Sequence, residues 1–186
     1  MQYLKIKKML VNDKERRKKM KLELKKIKYC KWMSEETHCY SAVVYVDGKA
    51  TIEVSNEGHG GGDNQWAIKP FTDQDIEKVE TWCKKNLPKW YSSFDKSQND
   101  KDLEYWCWEE VNKYLDDKYL KKDFKKNLKS KILYVENKGL RQITFKKCRS
   151  LTDGHLKYFK SKYPNRQALN FMPQDKAFKI YAQYMK

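Results

Sequence analysis

Apolar side chains recur at every second position over Ala42, Val44 and Val46 and again over Ala50, Ile52 and Val54, and an Asp47-Gly48 pair separates the two runs. Period two on both sides of Asp-Gly predicts a β-hairpin. Two strands alone are marginally stable in water, and Leu22, Leu24 and then Ile27 supply the pattern for a third, antiparallel strand. The expectation is a small meander. Its other two connections, residues 33–38 and 57–63, then fall at the end opposite Asp47-Gly48, which makes them neighbours in space.

Beyond the meander the period changes. Thr72 followed by Asp75 resembles a capping box, and Ile76, Val79, Cys83 and Leu87 follow at helical spacing until Pro88 ends the run. The polar stretch from Ser92 to Asp100 reads as a loop and a hinge or flexible segment. Leu103, Trp106, Cys107, Val111, Tyr114 and Leu115 repeat at three and four, predicting a long amphipathic helix whose apolar stripe covers the sheet. That helix runs on, or breaks, before Leu120, Phe124 and Leu128, which keep the same period. Residues 132–135 and 142–145 flank Glu136-Asn137-Lys138-Gly139 and predict a second hairpin, with Gly139 suited to the reversal. Thr152 or Asp153 caps a short helix bearing Leu156, Phe159 and Tyr163 and stopped by Pro164. Pro173 opens a terminal helix with Ala177, Ile180, Tyr181 and Tyr184. Strands, helices, strands and helices in that order indicate an α+β class, not a doubly wound sheet. Residues 1–20 read as a basic extension, and 21–186 as a single α+β domain.

Composition adds a charge map. The formal net charge is +16, yet residues 33–117 hold 9 Lys or Arg against 18 acids, while residues 1–32 hold 13 against 3, 118–131 hold 7 against 1 and 132–186 hold 12 against 3. A basic pair of ends around an acidic middle points to an anionic partner for the ends, or to ends that fold over the middle. Only 5 of the 41 cations are Arg, which disfavours sequence-specific base readout. No run approaches the roughly 20 apolar residues of a membrane span, and the basic start carries no secretory signal, so a cytosolic location is expected. Five scattered cysteines fit reduced thiols.

Candidate chemistry concentrates in the two connections. Ser34-Glu35-Glu36-Thr37-His38-Cys39 gathers carboxylates, hydroxyls, an imidazole and a thiol, and the second loop adds His59 and Asp63. Glu35, Glu36, His38 and His59 are the candidate acid–base residues, and two His with a carboxylate are a conceivable metal set, although the spacing matches no established metal motif. Against this, Ser34 and Thr37 suit local backbone capping. Gly58-His59-Gly60-Gly61-Gly62 permits positive φ and a nest of amides for a phosphate, with Ser34, Thr37, the four glycines, His59 and Asp63 as ligand-binding candidates; a sharp strand exit that folds Trp66 back onto the sheet explains it equally. No cofactor fingerprint occurs. Lys121, Lys122, Lys125, Lys126 and Lys129 form a candidate nucleic-acid face or a solvated helix face. Trp106 and Trp108 cannot both face one core, which leaves Trp108 as the exposed ring for stacking.

The run S-E-E-T-H-C-Y into Val-Tyr-Val-Asp-Gly-Lys, then Ser55-Asn56-Glu57-Gly58-His59-Gly60-Gly61, with Leu120-Lys121-Lys122 and Ala168-Leu169-Asn170-Phe171-Met172-Pro173 further on, resembles a family of small accessory proteins encoded by bacteriophages and prophage-bearing bacteria. The resemblance spans about residues 21–186. It implies a product acting inside the host cell and carries no activity with it. The expected function is a non-catalytic binding protein that contacts nucleic acid or a host protein in host takeover or counter-defence. The alternative is a pocket protein that binds or hydrolyses a nucleotide or other phosphorylated small molecule through residues 33–38 and 57–63.

Overall fold

The computed structural model describes residues 20–92, 94, 96–146 and 149–185. The extension over residues 1–20, except Met20, and Cys148 lie outside the described residues. The class is α+β: among the described residues, four helices accompany sheets whose strands all pair antiparallel. The chain forms two compact units that meet at Val111 and Asn112.

In the first unit, β1 (Leu22–Tyr29), β2 (Tyr40–Val46), β3 (Lys49–Asn56) and β4 (Asn64–Ala67) make one sheet in sequence order. Asp47 and Gly48 take the left-handed φ values of +49° and +83° that a two-residue hairpin loop requires. Lys21 stitches β1 to this end, its N–H donating to the Asp47 carboxylate and its carbonyl accepting from the Asp47 N–H. The break in period between Leu24 and Ile27 is a bulge, with Lys26 at φ +56° and the register shifting between Lys25 and Lys28. Tyr40, Ala42, Val44, Ile52 and Val54 are buried, as the alternation requires.

The fourth strand, β4, is absent from the sequence reading. Its four residues are too short and too polar to alternate visibly, and only pairing with β3 reveals them. It does return the chain onto the sheet, with Trp66 opposite Glu53 and 53% exposed.

Helix α1 (Asp73–Asn86) starts at the expected capping box, in which the Thr72 N–H donates to the Asp75 carboxylate at 3.0 Å. Val79 and Cys83 are its buried face. The polar stretch after it is framed by a short antiparallel ladder between β5 (Trp90–Tyr91) and β6 (Gln98–Asn99), so its end is strand and not loop. Helix α2 (Leu103–Ser130) is unbroken and contributes to both units. The Glu80 carboxylate accepts from the Leu103 N–H at 2.8 Å and so joins α1 to the start of α2.

In the second unit, β7 (Lys131–Glu136) and β8 (Gly139–Thr144) form the second hairpin. The left-handed residues are Asn137 and Lys138, at φ +51° and +57°, and Gly139 opens β8 instead of making the reversal. The apolar run Ile132-Leu133-Tyr134 is continuous because β7 is buried on both faces. Leu133 joins Phe124, Leu169, Ala177 and Tyr181, whereas Ile132 and Tyr134 join Phe159 and Ala168. Helices α3 (Asp153–Lys162) and α4 (Gln174–Met185) supply Phe159 and Tyr181 to these two clusters. Asn170 closes the end of α2: its amide donates to the carbonyls of Leu128 and Lys131 and accepts from the Leu133 N–H. Tyr181 donates to Asp123 at 2.6 Å and accepts from Asn127.

Phe124 is 1% exposed at the centre of its cluster. Phe124→Ala should therefore remove about 3–5 kcal/mol of stability, read from a urea titration followed by circular dichroism; a loss below about 1 kcal/mol would contradict this placement.

Candidate functional site

The two connections meet as the hairpin geometry requires. The Gly58 carbonyl accepts from three consecutive N–H groups of the other loop, those of Glu35, Glu36 and Thr37, at 2.9, 3.0 and 3.3 Å. Gly58 sits at φ +91°, and a Cβ there would stand 2.1 Å from the Met33 carbonyl oxygen, so only glycine permits this approach.

The fastening side chain is Asn56. It continues the inward positions Ile52 and Val54, and it is 7% exposed. Its oxygen accepts from the Thr37 hydroxyl at 2.6 Å and the Gly58 N–H at 2.9 Å; its nitrogen donates to the Gly61 carbonyl at 3.2 Å and the Asp63 carboxylate at 3.1 Å. All four hydrogen-bonding positions of the amide are used. Tyr40, opposite Asn56 in register, donates its hydroxyl to the other Asp63 oxygen.

Beside this knot lies a cleft of about 360 Å³. Thr37, His38, Tyr40, Asn56, Gly61 and Asp63 line one side. Trp90 and Asn99 from the short ladder, Asp100 and Asp102 from the connection after it, and Glu104, Tyr105 and Trp108 from the start of α2 line the other. The Trp90 and Tyr105 rings stack at 5.0 Å and 15°, and Trp108 follows Tyr105 at 5.4 Å. Among the described residues, no Lys or Arg lines the cleft.

The electrostatics follow from burial of like charges. Desolvation raises the Asp63 pKa, only partly offset by its bonds from Tyr40 and Asn56, and Asp102 raises it further. Glu104 is likewise raised, first by burial and then by Asp63 and Asp102, although it accepts from the Asp63 N–H. Burial pushes the Tyr40 hydroxyl and the Cys107 thiol well above their ordinary values.

The expected site residues divide accordingly. Thr37, His38, Gly61 and Asp63 line the cleft. Ser34 does not; its hydroxyl donates to the Cys30 carbonyl and accepts from the Cys39 N–H, which makes it a local cap. Glu35 and His59 do come within hydrogen-bond reach, 3.1 Å from Oε2 to Nδ1, but as an exposed pair away from the cleft lining. Glu36 is exposed and approaches Gly60. The Gly60 N–H donates to Thr37 and the Gly58 N–H to Asn56, so these two amides of the expected nest already have partners. Gly62 abuts Glu104. Among the described residues no group of three His, Cys, Asp or Glu is arranged to hold a metal.

Sequence reasoning missed Asn56, Tyr40, Trp90, Asp102, Glu104 and Tyr105. The first two carried a signal: each prolongs an inward alternation with a polar tip, and such a tip needs a buried partner. The others reach the cleft only through tertiary packing. Trp106 is 7% and Trp108 49% exposed, so the choice of Trp108 as the outer ring is right, but its neighbours are the cleft aromatics. Comparison with protein-family models, curated proteins and solved structures returns no match.

Asn56→Ala should leave at least one buried group without a partner and cost at least about 1–3 kcal/mol by thermal or urea denaturation; an unchanged midpoint would show that the knot does not hold the loops. A second expectation concerns pH. A carboxyl whose folded pKa is raised binds its proton more tightly in the fold than in the unfolded chain, so stability falls as pH climbs from the ordinary carboxylate value, about 4.3, through the folded one. Glu104→Gln abolishes that loss. The stability of the variant relative to the natural chain should rise over this window and then level off, and a difference independent of pH would refute the assignment.

Proposed function

We propose that the protein is a phage-type accessory protein that binds nucleic acid without catalysing a reaction, through the lysine face of α2 in the second unit. The observation that carries this reading is the arrangement of Lys118, Lys122, Lys125, Lys126 and Lys129. At 3.6 residues per turn they fall on an arc of about 100°, with Lys121 at its edge, opposite the side that buries Phe124. All six are exposed. Lys121 pairs with Asp117 at 2.6 Å, whereas Lys122, Lys125, Lys126 and Lys129 have no carboxylate partner among the described residues. A row of uncompensated ammonium groups along one helix suits a row of phosphates.

Charge separates between the units in the same sense. Residues 112–186 hold 20 Lys or Arg against 6 acids, a net of +14, while residues 1–111 hold 21 against 19, a net of +2. Lysine is a point charge without the planar fork of arginine, so the binding is to backbone and indifferent to base sequence. Trp108 belongs to the first unit, ten residues before Lys118 on the same helix. The nucleotide-pocket alternative finds less support, because a phosphate in the cleft would meet Asp63, Asp102 and Glu104 with no Lys or Arg among the described lining residues. A host protein as partner rests on the resemblance alone.

Binding to duplex DNA should weaken steeply with salt, and Lys122→Gln with Lys125→Gln and Lys129→Gln should flatten the log–log salt slope by about 0.9 per lost phosphate contact. Fluorescence anisotropy at several salt concentrations measures this. No binding at low salt, or a slope unaltered in the triple variant, would eliminate the reading.

A further inference from the structure

The cleft of the first unit presents two features that one class of ligand satisfies together. Its far wall is an aromatic surface, Trp90, Tyr105 and Trp108 in succession, with Trp108 half-exposed although an apolar ring of that size gains by burial. Asp63, Asp100, Asp102 and Glu104 also line the cleft, and no Lys or Arg does so among the described residues. Lys89 pairs with the lining Asp100 at 3.0 Å, and Lys101 pairs with Glu109 at 2.5 Å while its ammonium stands 5.2 Å from the Tyr105 ring centroid, which leaves Asp63, Asp102 and Glu104 without a paired cation among the described residues. Glu104 accepts from the Asp63 N–H; burial disfavours both as anions, Asp102 adds to the effect on Asp63, and Asp63 and Asp102 add to it on Glu104. Some of the acids also have structural duties: Asp102 accepts the Tyr105 N–H at 2.7 Å and thereby caps α2. The cap explains Asp102 but not why Glu104, without a paired cation, stands beside a wall of three mutually packed rings.

The geometry points to the cleft as a binding site for an aliphatic polyamine, its ammonium groups received by Glu104, Asp63 and Asp102 and its alkyl chain lying along Trp90, Tyr105 and Trp108. Ammonium groups over aromatic faces gain from the ring quadrupole, and methylene segments gain from burial against the same rings. Several carboxylates spread over a cleft of about 360 Å³ favour a ligand with more than one separated charge over a single small ion. An inorganic divalent cation would use the acids and leave the rings idle. This inference stands apart from the lysine face, which lies in the other unit, and its test contains no nucleic acid.

The test is calorimetric titration of the whole chain with spermidine at low salt, checked by tryptophan fluorescence because Trp90 and Trp108 line the cleft. The natural chain should show saturable binding. Glu104→Gln keeps the shape of the side chain and an acceptor for the Asp63 N–H, and should weaken binding by about tenfold or more, the worth of a charge-assisted hydrogen bond. Trp108→Ala should weaken it by roughly threefold to thirtyfold, as a lost cation–π contact implies. Glu53→Gln, an exposed acid on β3 outside the cleft, should change nothing. The proposal falls if no saturable binding occurs up to millimolar spermidine, or if Glu53→Gln and Glu104→Gln weaken it equally. It falls also if Trp108→Ala is without effect while magnesium competes as well as putrescine, since the site would then be an acidic surface and nothing more.

Discussion

The first unit depends on one buried amide. Asn56 lies where the alternation of β3 aims a side chain into the core, and a polar group there is tolerable only if every hydrogen-bonding position is used. It is, and the four partners belong to both connections at the open end of the hairpin. Replacing the amide by an apolar side chain of similar size would bury comparable surface and leave the loops untied. Gly58 completes the device, since the backbone approach that lets its carbonyl collect three N–H groups excludes any Cβ. The glycine density of the second loop thus has a structural cause before it has any chemical one.

Once the loops are tied, the position of Asp63 follows. Held by Asn56 and Tyr40 at the mouth of the core, its carboxylate is brought beside the start of α2, where Asp102 and Glu104 already stand. Acids near a helix N-terminus are favoured by the helix dipole, which helps to explain how three of them share so small a volume. Their mutual repulsion and partial desolvation remain, and the raised pKa values of Asp63 and Glu104 express that residue of unfavourable energy. A cleft so charged has a defined preference for what enters it.

The second unit is organised by a different constraint. Its hairpin has apolar side chains on both faces of β7, so it must be covered twice, once by the cluster around Phe124 and Tyr181 and once by that around Phe159. Those demands use the inward stripe of α2 and leave its outward arc to lysine. The same helix therefore carries acids and aromatic rings over its first residues and ammonium groups over its last, a consequence of what each part must pack against.

Periodicity and turn chemistry by themselves determined the α+β class, both hairpins, the capping box at Thr72, the stripe of α2 and the meeting of the two connections, because each of these is a local preference or follows from a strand reversing its direction. They did not determine β4, whose existence rests on pairing with β3, nor the site of positive φ at Asn137 and Lys138, which the strand register sets. The cleft lay furthest from view. Thr37 and Asp63 were visible as reactive residues, but Trp90, Glu104 and Tyr105 are 27 or more positions along the chain from Asp63, and no spacing rule connects them. Only the docking of α1 and α2 within the first unit, through such contacts as Glu80 to the Leu103 N–H, brings them to one wall. Long-range proximity of polar groups is decided by packing, and a one-dimensional pattern holds no record of it.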